Sequence, residues 1–339
     1  MPPHTRRVTL LARAALAYDV LRLVFFPWQR ERRVARECER TRIARMPRRF
    51  AAGLLYSVAI RRDGTTVLWG NIADMIRSIP IRSYNDCMND GDLKFAAIER
   101  VAASATHLLR LRSNGSVVCW GDNDEGQAPP EGVEGDFVEI AAGDAHSLAL
   151  RRDGSGVACW GDNDEGQAPP EGVGGDFVMI AAGGAHSMAL RRDGSGIACW
   201  GYNEDGRAPP EGVEGDFVAI GAGTSHSLAL RRDGSVSCWG YNEDGQAPPE
   251  GVEGDFVAID AGNGHSLALR RDGSVACWGD NEFGQAPPEG VKGDFVAISA
   301  GTAHSLALRR DGSIEGWGNN IFGEAPPDGR VGPFGRVDV

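Results

Sequence analysis

The chain has 339 residues, 42% hydrophobic and 24% charged, with a net charge of −12 and 47 Gly and 18 Pro. That is a soluble globular composition with many turns, large enough for a sizeable core. Charge is uneven: residues 1–50 hold 13 Arg, no Lys and 4 acids, whereas the other 289 hold 22 basic and 43 acidic side chains. The body is thereby excluded as a general nucleic-acid binder, which needs clustered positive charge against phosphates.

Residues 1–48 come first and differ in composition from the rest of the chain. The apolar stretch "VTLLARAALAYDVLRLVFFPW", residues 8–28, is interrupted by Arg13, Asp19 and Arg22, which argues against a membrane span. Residues 1–18 contain no acid, as in organelle transit peptides, yet residues 1–50 contain no Ser, which argues against one. "RERRVARECERTRIARMPRR" stays compatible with a helix as far as Pro47. The segment reads as a basic helix, for docking or for targeting.

From residue 49 onward the chain repeats itself. His107, His146, His186, His226, His265 and His304 are 39, 40, 40, 39 and 39 residues apart, and Trp120, Trp160, Trp200, Trp239, Trp278 and Trp317 keep step. A degenerate first copy, "YSVAIRRDGTTVLWGN", puts Tyr56 at the histidine position and Trp69 at the tryptophan position. Fixed-period self-similarity comes before any other reading. Each unit reads as β structure: "DFVAI" as a strand, "HSLALRR" as a second and "SVACWG" as a third. Asp-Gly between the last two predicts a type I′ hairpin, which would pair Arg271 with Ser274 and set His265 opposite Asp280. "QAPP" suits an edge strand or an extended segment, since proline donates no hydrogen bond. Units of about 40 residues with three or four antiparallel strands match propeller blades. The expectation is an all-β, seven-bladed β-propeller over residues 49–339 of ~39-residue repeats. The C-terminal strand Phe334–Val339 is expected to complete the first blade and close the ring. The insertion Ile81–Phe95 separates the first two hairpins.

"HSLALRRDGSVACWGDNEFGQ" resembles the regulator of chromosome condensation repeat, which has a histidine-led strand, a Gly-containing turn and a W-G-x-N-x-x-G-Q segment. The resemblance covers residues 51–339 in six full copies. The shorter repeat, with Ala-Pro-Pro after the Gln, is also similar to that of bacterial propellers such as β-lactamase inhibitor protein II. The resemblance implies a seven-bladed propeller whose face binds another protein. It implies guanine-nucleotide exchange on a small GTPase only where the loops match the family's prototype, and no matching loop is identified.

The residues themselves favour no catalysis. The partner expected opposite the histidine is Asp162 for His146 but Tyr202 for His186, Tyr241 for His226 and Asn319 for His304. The adjacent Ser points to the other face of the strand, and an active site needs one preorganised constellation rather than six. His107, His146, His186, His226, His265 and His304 are therefore structural, expected to bond backbone groups near the turn. The tryptophans are core. The "GDNDEG" loops place Gly126 too early for an EF-hand, with Val133 where its last ligand would be, so no metal is assigned. No cofactor motif occurs. Cys119, Cys159, Cys199, Cys238 and Cys277 precede a Trp in successive repeats. They form no CxxC pairs and read as buried free thiols of a reducing compartment.

The copies differ mainly in the loops before each His and after each Trp, which should share one side of the ring. Acids dominate one arc there: Asp124, Glu125, Asp164, Glu165, Glu204, Asp205, Glu243, Asp244, Asp280 and Glu282. Tyr202, Tyr241, Phe283 and Phe322 supply aromatic surface in another. Aromatic anchors among steering carboxylates suit a basic protein partner. The sequence thus points to a monomeric, non-enzymatic protein-interaction platform in the cytoplasm or nucleus, or in an organelle if residues 1–48 target it. An exchange factor for a small GTPase is the alternative.

Overall fold

The alternation of short apolar strands with Gly-rich turns folds into seven small antiparallel sheets. The computed structural model describes residues 50–54, 56–60, 66–71 and 100–325. Blade 1 comprises Phe50–Ala52, Tyr56–Ile60 and Thr66–Gly70; blade 2, Val101–Ala103, His107–Leu111 and Val117–Gly121. Blades 3 and 4 are Phe137–Ala142, His146–Arg151, Gly156–Gly161 and Val173–Gly174, then Phe177–Ala182, His186–Arg191, Gly196–Gly201 and Val213–Glu214. Blade 5 is Phe217–Ala222, His226–Arg231 and Val236–Gly240; blade 6, Phe256–Ala261, His265–Arg270 and Val275–Gly279; blade 7, Phe295–Ala300, His304–Arg309 and Ile314–Gly318. In blades 2, 5 and 6 the outer edge is a single bridge, such as Val275 to Val291. The valine after each "QAPPEG" run makes this edge, so the prolines stay out of the ladder.

The ring closes between blades 7 and 1. Ala52 N–H donates to Ser299 Oγ at 3.1 Å, Thr302 N–H to the Gly53 carbonyl at 3.2 Å, and Trp69 Nε1–H to the Glu324 carbonyl at 3.0 Å. Phe50–Ala52 itself takes the innermost place in blade 1, pairing with Ser57–Ala59. The tail strand expected at Phe334–Val339, the Ile81–Phe95 insertion and the helix expected within residues 1–48 lie outside the described residues.

The hairpin register differs from the expected one. Arg270 N–H donates to the Ser274 carbonyl, Leu269 pairs with Val275, and His265 faces Gly279 rather than Asp280. Among the described residues only glycines have positive φ, Gly273 at +89°, so Asp272 cannot sit in a type I′ turn. The loop is the three-residue kind, whose last residue takes the left-handed conformation. One extra loop residue moves the whole third strand by one position and dissolves the expected His–Asp pairing.

The "GDF…RR" pattern also has a local cause. In blades 3, 5, 6 and 7 the first Arg of the pair lies over the Phe of the innermost strand, as Arg270 does over Phe256 at 5.5 Å and Arg309 over Phe295 at 4.7 Å. The second Arg reaches the Asp before that Phe: Arg152 to Asp136 at 2.7 Å, Arg232 to Asp216 at 2.8 Å, Arg310 to Asp294 at 3.2 Å. These aspartates and arginines of the turn side are thereby matched in pairs.

The core lies between sheets. Leu267, Leu269, Val275 and Cys277 pack against Phe295 and Ala307 of the next blade, and five equivalent cysteines are free and buried. Burial pushes the Cys277 thiol up to about 12. Native protein at pH 8 should therefore leave Cys119, Cys159, Cys199, Cys238 and Cys277 unalkylated, with reaction appearing only on unfolding. Peptide-resolved labelling checks this, and labelling of Cys277 at the rate of a free thiol would contradict it.

Candidate functional site

The histidine, serine and tryptophan of each repeat meet between blades rather than within one. Ser266 and Trp278 are paired across their hairpin and face the preceding blade. There Ser266 Oγ donates to the Gln246 carbonyl at 2.9 Å and lies 2.8 Å from His226 Nε2. Trp278 Nε1–H donates to the same carbonyl at 3.0 Å. The serine's only proton is committed to the carbonyl, so the imidazole must donate from Nε2. The same clamp recurs at His107–Ser147, His146–Ser187, His186–Ser227 and His265–Ser305, and at the ring closure as His304–Ser57. At the remaining joint Leu108 replaces the serine, and the Tyr56 hydroxyl donates instead to the His107 carbonyl at 3.0 Å. The histidines sit at the joints between blades, and their Nε2 partner is a serine hydroxyl of the neighbouring blade rather than a backbone group of the turn.

The other ring edge explains the "AAG" run. A Cβ on Gly183 would sit 2.2 Å from His186 Cε1 and 2.4 Å from the Gly223 carbonyl of the next blade. Only glycine fits so close an approach. All six imidazoles are sealed from solvent. Burial pulls His107, His186 and His265 down to about 3, and His146, His226 and His304 to about 4. The serine is wedged between a carbonyl and an imidazole N–H, with no base to take its proton, and these groups hold the blades together.

The variable loops form the opposite rim from the Arg–Asp pairs. Asp122, Asp162, Tyr202, Tyr241, Asp280 and Asn319 each donate their amide to the loop that precedes the histidine, tying both loop sets to one side. The Asn of W-G-x-N folds each loop back: Asn281 Oδ1 accepts from Ala286 N at 2.9 Å. Gly284, at φ +81° with open space around it, makes the tip. Asp162 and Asp280 are drawn inward as acceptors for Gln167 Nε2 and Gln285 Nε2, both at 2.8 Å. Asp124, Glu125, Asp164, Glu165, Glu204, Asp205, Glu243, Asp244 and Glu282 are exposed.

The aromatic arc is less uniform than its sequence suggests. Tyr202 and Tyr241 are half-buried, and their hydroxyls donate to Glu204 and to Glu243 (2.6 Å for the latter). Arg207, which replaces the repeat's Gln, lies 4.7 Å over the Tyr202 ring and pairs with Asp205. Phe283 and Phe322 are the open aromatics, 49% and 48% exposed, and Ile321, which sequence comparison of the copies did not single out, is 76% exposed. These three are the exposed large apolar side chains among the described residues. All three stand on the loops of adjacent blades 6 and 7. A bulky apolar residue at a loop tip was the available signal for Ile321.

The central channel is lined by small residues, among them Ala52, Ala142, Ala182, Ala222, Ala261 and Ala300, with cavities of only about 80 and 90 Å³. Asp260, which stands where other copies have Ala, Gly or Ser, accepts from Ala300 N of the next blade at 2.9 Å and so braces the ring, as Ser299 does toward Ala52. Among the described residues, no group of three or more His, Cys, Asp or Glu is placed to hold a metal ion.

Solved structures with this arrangement are known. The chain is similar to the CRINKLY WD40 ectodomain of the Arabidopsis thaliana receptor kinase ACR4: 22% identity over 82% of this chain and 98% of that one, TM-score 0.63. Prp20p from Saccharomyces cerevisiae, whose structure was reported with its binding properties to Gsp1p and histones, aligns at 20% identity over 76% and 81%, TM-score 0.59. The receptor kinase CR4 ectodomain of Physcomitrella patens gives 21% over 80% and 73%, TM-score 0.63. At these identities the likeness shows the fold. The sequence family is shown separately, by matches to the regulator of chromosome condensation (RCC1) repeat at residues 98–127, 137–167, 177–207, 217–246, 256–285 and 295–324. Each match spans a histidine of the inter-blade clamp and ends on the residue whose carbonyl a clamp uses, such as Gln246 or Glu324. Covering more than half of the sequence, they place the chain in the regulator of chromosome condensation repeat family.

Proposed function

We propose that the chain is a non-enzymatic platform that holds a basic protein through the rim of variable loops. The observation that carries this reading is the asymmetry of the two sides. The turn side mixes its acids with arginines, of which Arg152, Arg192, Arg232, Arg271 and Arg310 stand opposite aspartates, whereas the rim loops carry exposed acids with Arg207 as their one cation among the described residues. Surplus carboxylates steer a basic partner, and Phe283, Ile321 and Phe322 supply area that the partner can desolvate. Prp20p, with the same fold, has been studied for binding to Gsp1p and histones. A family of exchange factors gives a second reading, in which the rim takes a small GTPase and binds its nucleotide-free form best. No side chain need act chemically for that. The buried thiols suit an intracellular protein, and the acidic rim suits a protein rather than a nucleic acid.

The test uses the full chain and a variant carrying Glu125→Lys, Glu165→Lys, Phe283→Ala and Phe322→Ala. All four side chains are exposed, so thermal stability should be retained. Binding to core histones at physiological salt is expected to weaken by at least about tenfold in the variant. Binding to small GTPases stripped of nucleotide, compared with their GDP and GTP forms, separates platform from exchange factor. Equal capture by parent and variant would remove the rim as the binding face.

A further inference from the structure

The rim's acids and its apolar tips call for an occupant with Arg-rich and apolar stretches, and this chain has one at residues 1–48. We propose that residues 1–48 dock in cis on the variable-loop rim, covering Phe283, Ile321 and Phe322 and neutralising the acidic tips, so that a partner must displace them. The inference rests on reading the rim as a binding face. It goes further in naming an occupant and a competition.

Three observations converge. The first is complementarity: residues 8–28 supply a run of apolar side chains, and residues 30–49 supply arginines with few acids. The second is charge balance. The turn side also bears acids, including exposed glutamates such as Glu134 and Glu253, but there they stand among arginines, which pair with Asp136, Asp176, Asp216, Asp255 and Asp294. An Arg-rich segment arriving there meets other arginines. On the rim, among the described residues, it meets Arg207 alone, already paired with Asp205. The exposed large apolar side chains are likewise on the rim. The third is reach. Phe50 opens the innermost strand of blade 1, which runs from the turn side toward the rim, so the segment enters from the turn side. Some fifty residues span up to roughly 160 Å when extended, ample to pass around the edge of one domain even if part of the segment is helical. Tethering then supplies an effective concentration in the millimolar range, so even weak contacts would hold it.

The experiment is limited trypsin digestion of the full chain, following cleavage after the arginines between Arg30 and Arg49 by mass spectrometry. Two variants are compared: Phe283→Ser/Ile321→Ser/Phe322→Ser, and Asp124→Lys/Glu125→Lys/Asp164→Lys/Glu165→Lys. Glu134→Lys/Glu253→Lys on the turn side is the control. Docking predicts slow cleavage in the parent at low salt, at least about tenfold faster cleavage in both rim variants, and an unchanged rate in the control. The parent should also be cut faster in 0.5 M salt, because exposed charge pairs are screened. Equal rates in parent and rim variants overturn the proposal. So does protection that disappears on dilution together with a dimer seen by light scattering, since the occupant would then belong to a second copy. Failure of the platform reading is distinguishable: a segment protected by the rim, in a chain that captures no histone or GTPase even after the segment is cut away, leaves docking standing and removes the platform.

Discussion

Acidification from pH 7.5 to 5 is expected to unfold the propeller in one cooperative step, with a midpoint at about pH 5.5. Six imidazoles are buried at blade joints, where burial holds them at about 3 to 4 against an ordinary value of 6.5. A base whose folded value is depressed is neutral when folded and takes up a proton when the chain unfolds. Its contribution is therefore fully present above pH 6.5 and is lost progressively as the pH falls below it. Each group contributes about 1.4 kcal/mol per pH unit in that window, hence about 8 kcal/mol per unit for six. Domain stabilities of about 5–15 kcal/mol are exhausted within one or two units. Neighbouring imidazoles reinforce this: charge on His226 or His304 would further lower His265. The turn carboxylates act elsewhere. Asp272 is held below the usual carboxylate range by the Ser274 hydroxyl and amide, so its contribution is lost only in stronger acid. Tryptophan fluorescence and calorimetry against pH give the midpoint, and its steepness gives the protons taken up. In His226→Gln the amide can still donate to Ser266 but cannot titrate, so uptake should fall by about one proton. A midpoint near pH 3 with an uptake of one or two protons would refute the assignment.

This acid sensitivity was not legible in the sequence, although the histidines were. Within one copy, His265 and Ser266 point to opposite faces, so neither shows the other as a partner. The contact joins residue 226 to residue 266, a full repeat away, and exists only once blades are stacked around a ring. The number of blades and the strand content were legible because the hydrophobic alternation, Asp-Gly turns and 39-residue period agree with one another six times over. The hairpin register was not, because Asp-Gly serves both two- and three-residue loops. What decides between them is that the backbone leaves Asp272 at negative φ. In the rim, the acids were found by comparing copies. The different fates of Tyr202 and Phe283 follow from their places in the loop. Tyr202 and Tyr241 directly follow Trp-Gly, where the backbone is tied to the loop before the histidine, whereas Phe283 and Phe322 stand at the tip beside Gly284 and Gly323.

The ring's closing joint is expected to be its weakest, and the clamp allows a matched comparison. Ser57→Ala/Trp69→Phe removes both donors to the Glu324 carbonyl and leaves His304 Nε2 without its acceptor. Ser227→Ala/Trp239→Phe does the same to the Arg207 carbonyl and to His186 between blades 4 and 5. Both pairs strip equivalent hydrogen bonds from sealed sites, and each should cost about 3–5 kcal/mol. Their consequences should nevertheless differ. Blades 4 and 5 are joined by the direct connection from Gly201 to Phe217, so separating them strains the backbone as well as the interface. Blades 7 and 1 meet through non-covalent contacts between opposite ends of the ring, including the Ala52–Ser299 and Thr302–Gly53 bonds. Weakening that interface permits local opening without global unfolding. Hydrogen exchange should therefore quicken by at least about tenfold at Phe50–Ala52 and Phe295–Ala300 in the closing-joint variant. The internal-joint variant should instead show a uniform rise across all blades, tracking its loss of global stability. If both variants exchange uniformly, the closing joint is as strong as the others, and the ring behaves as one cooperative unit all the way round.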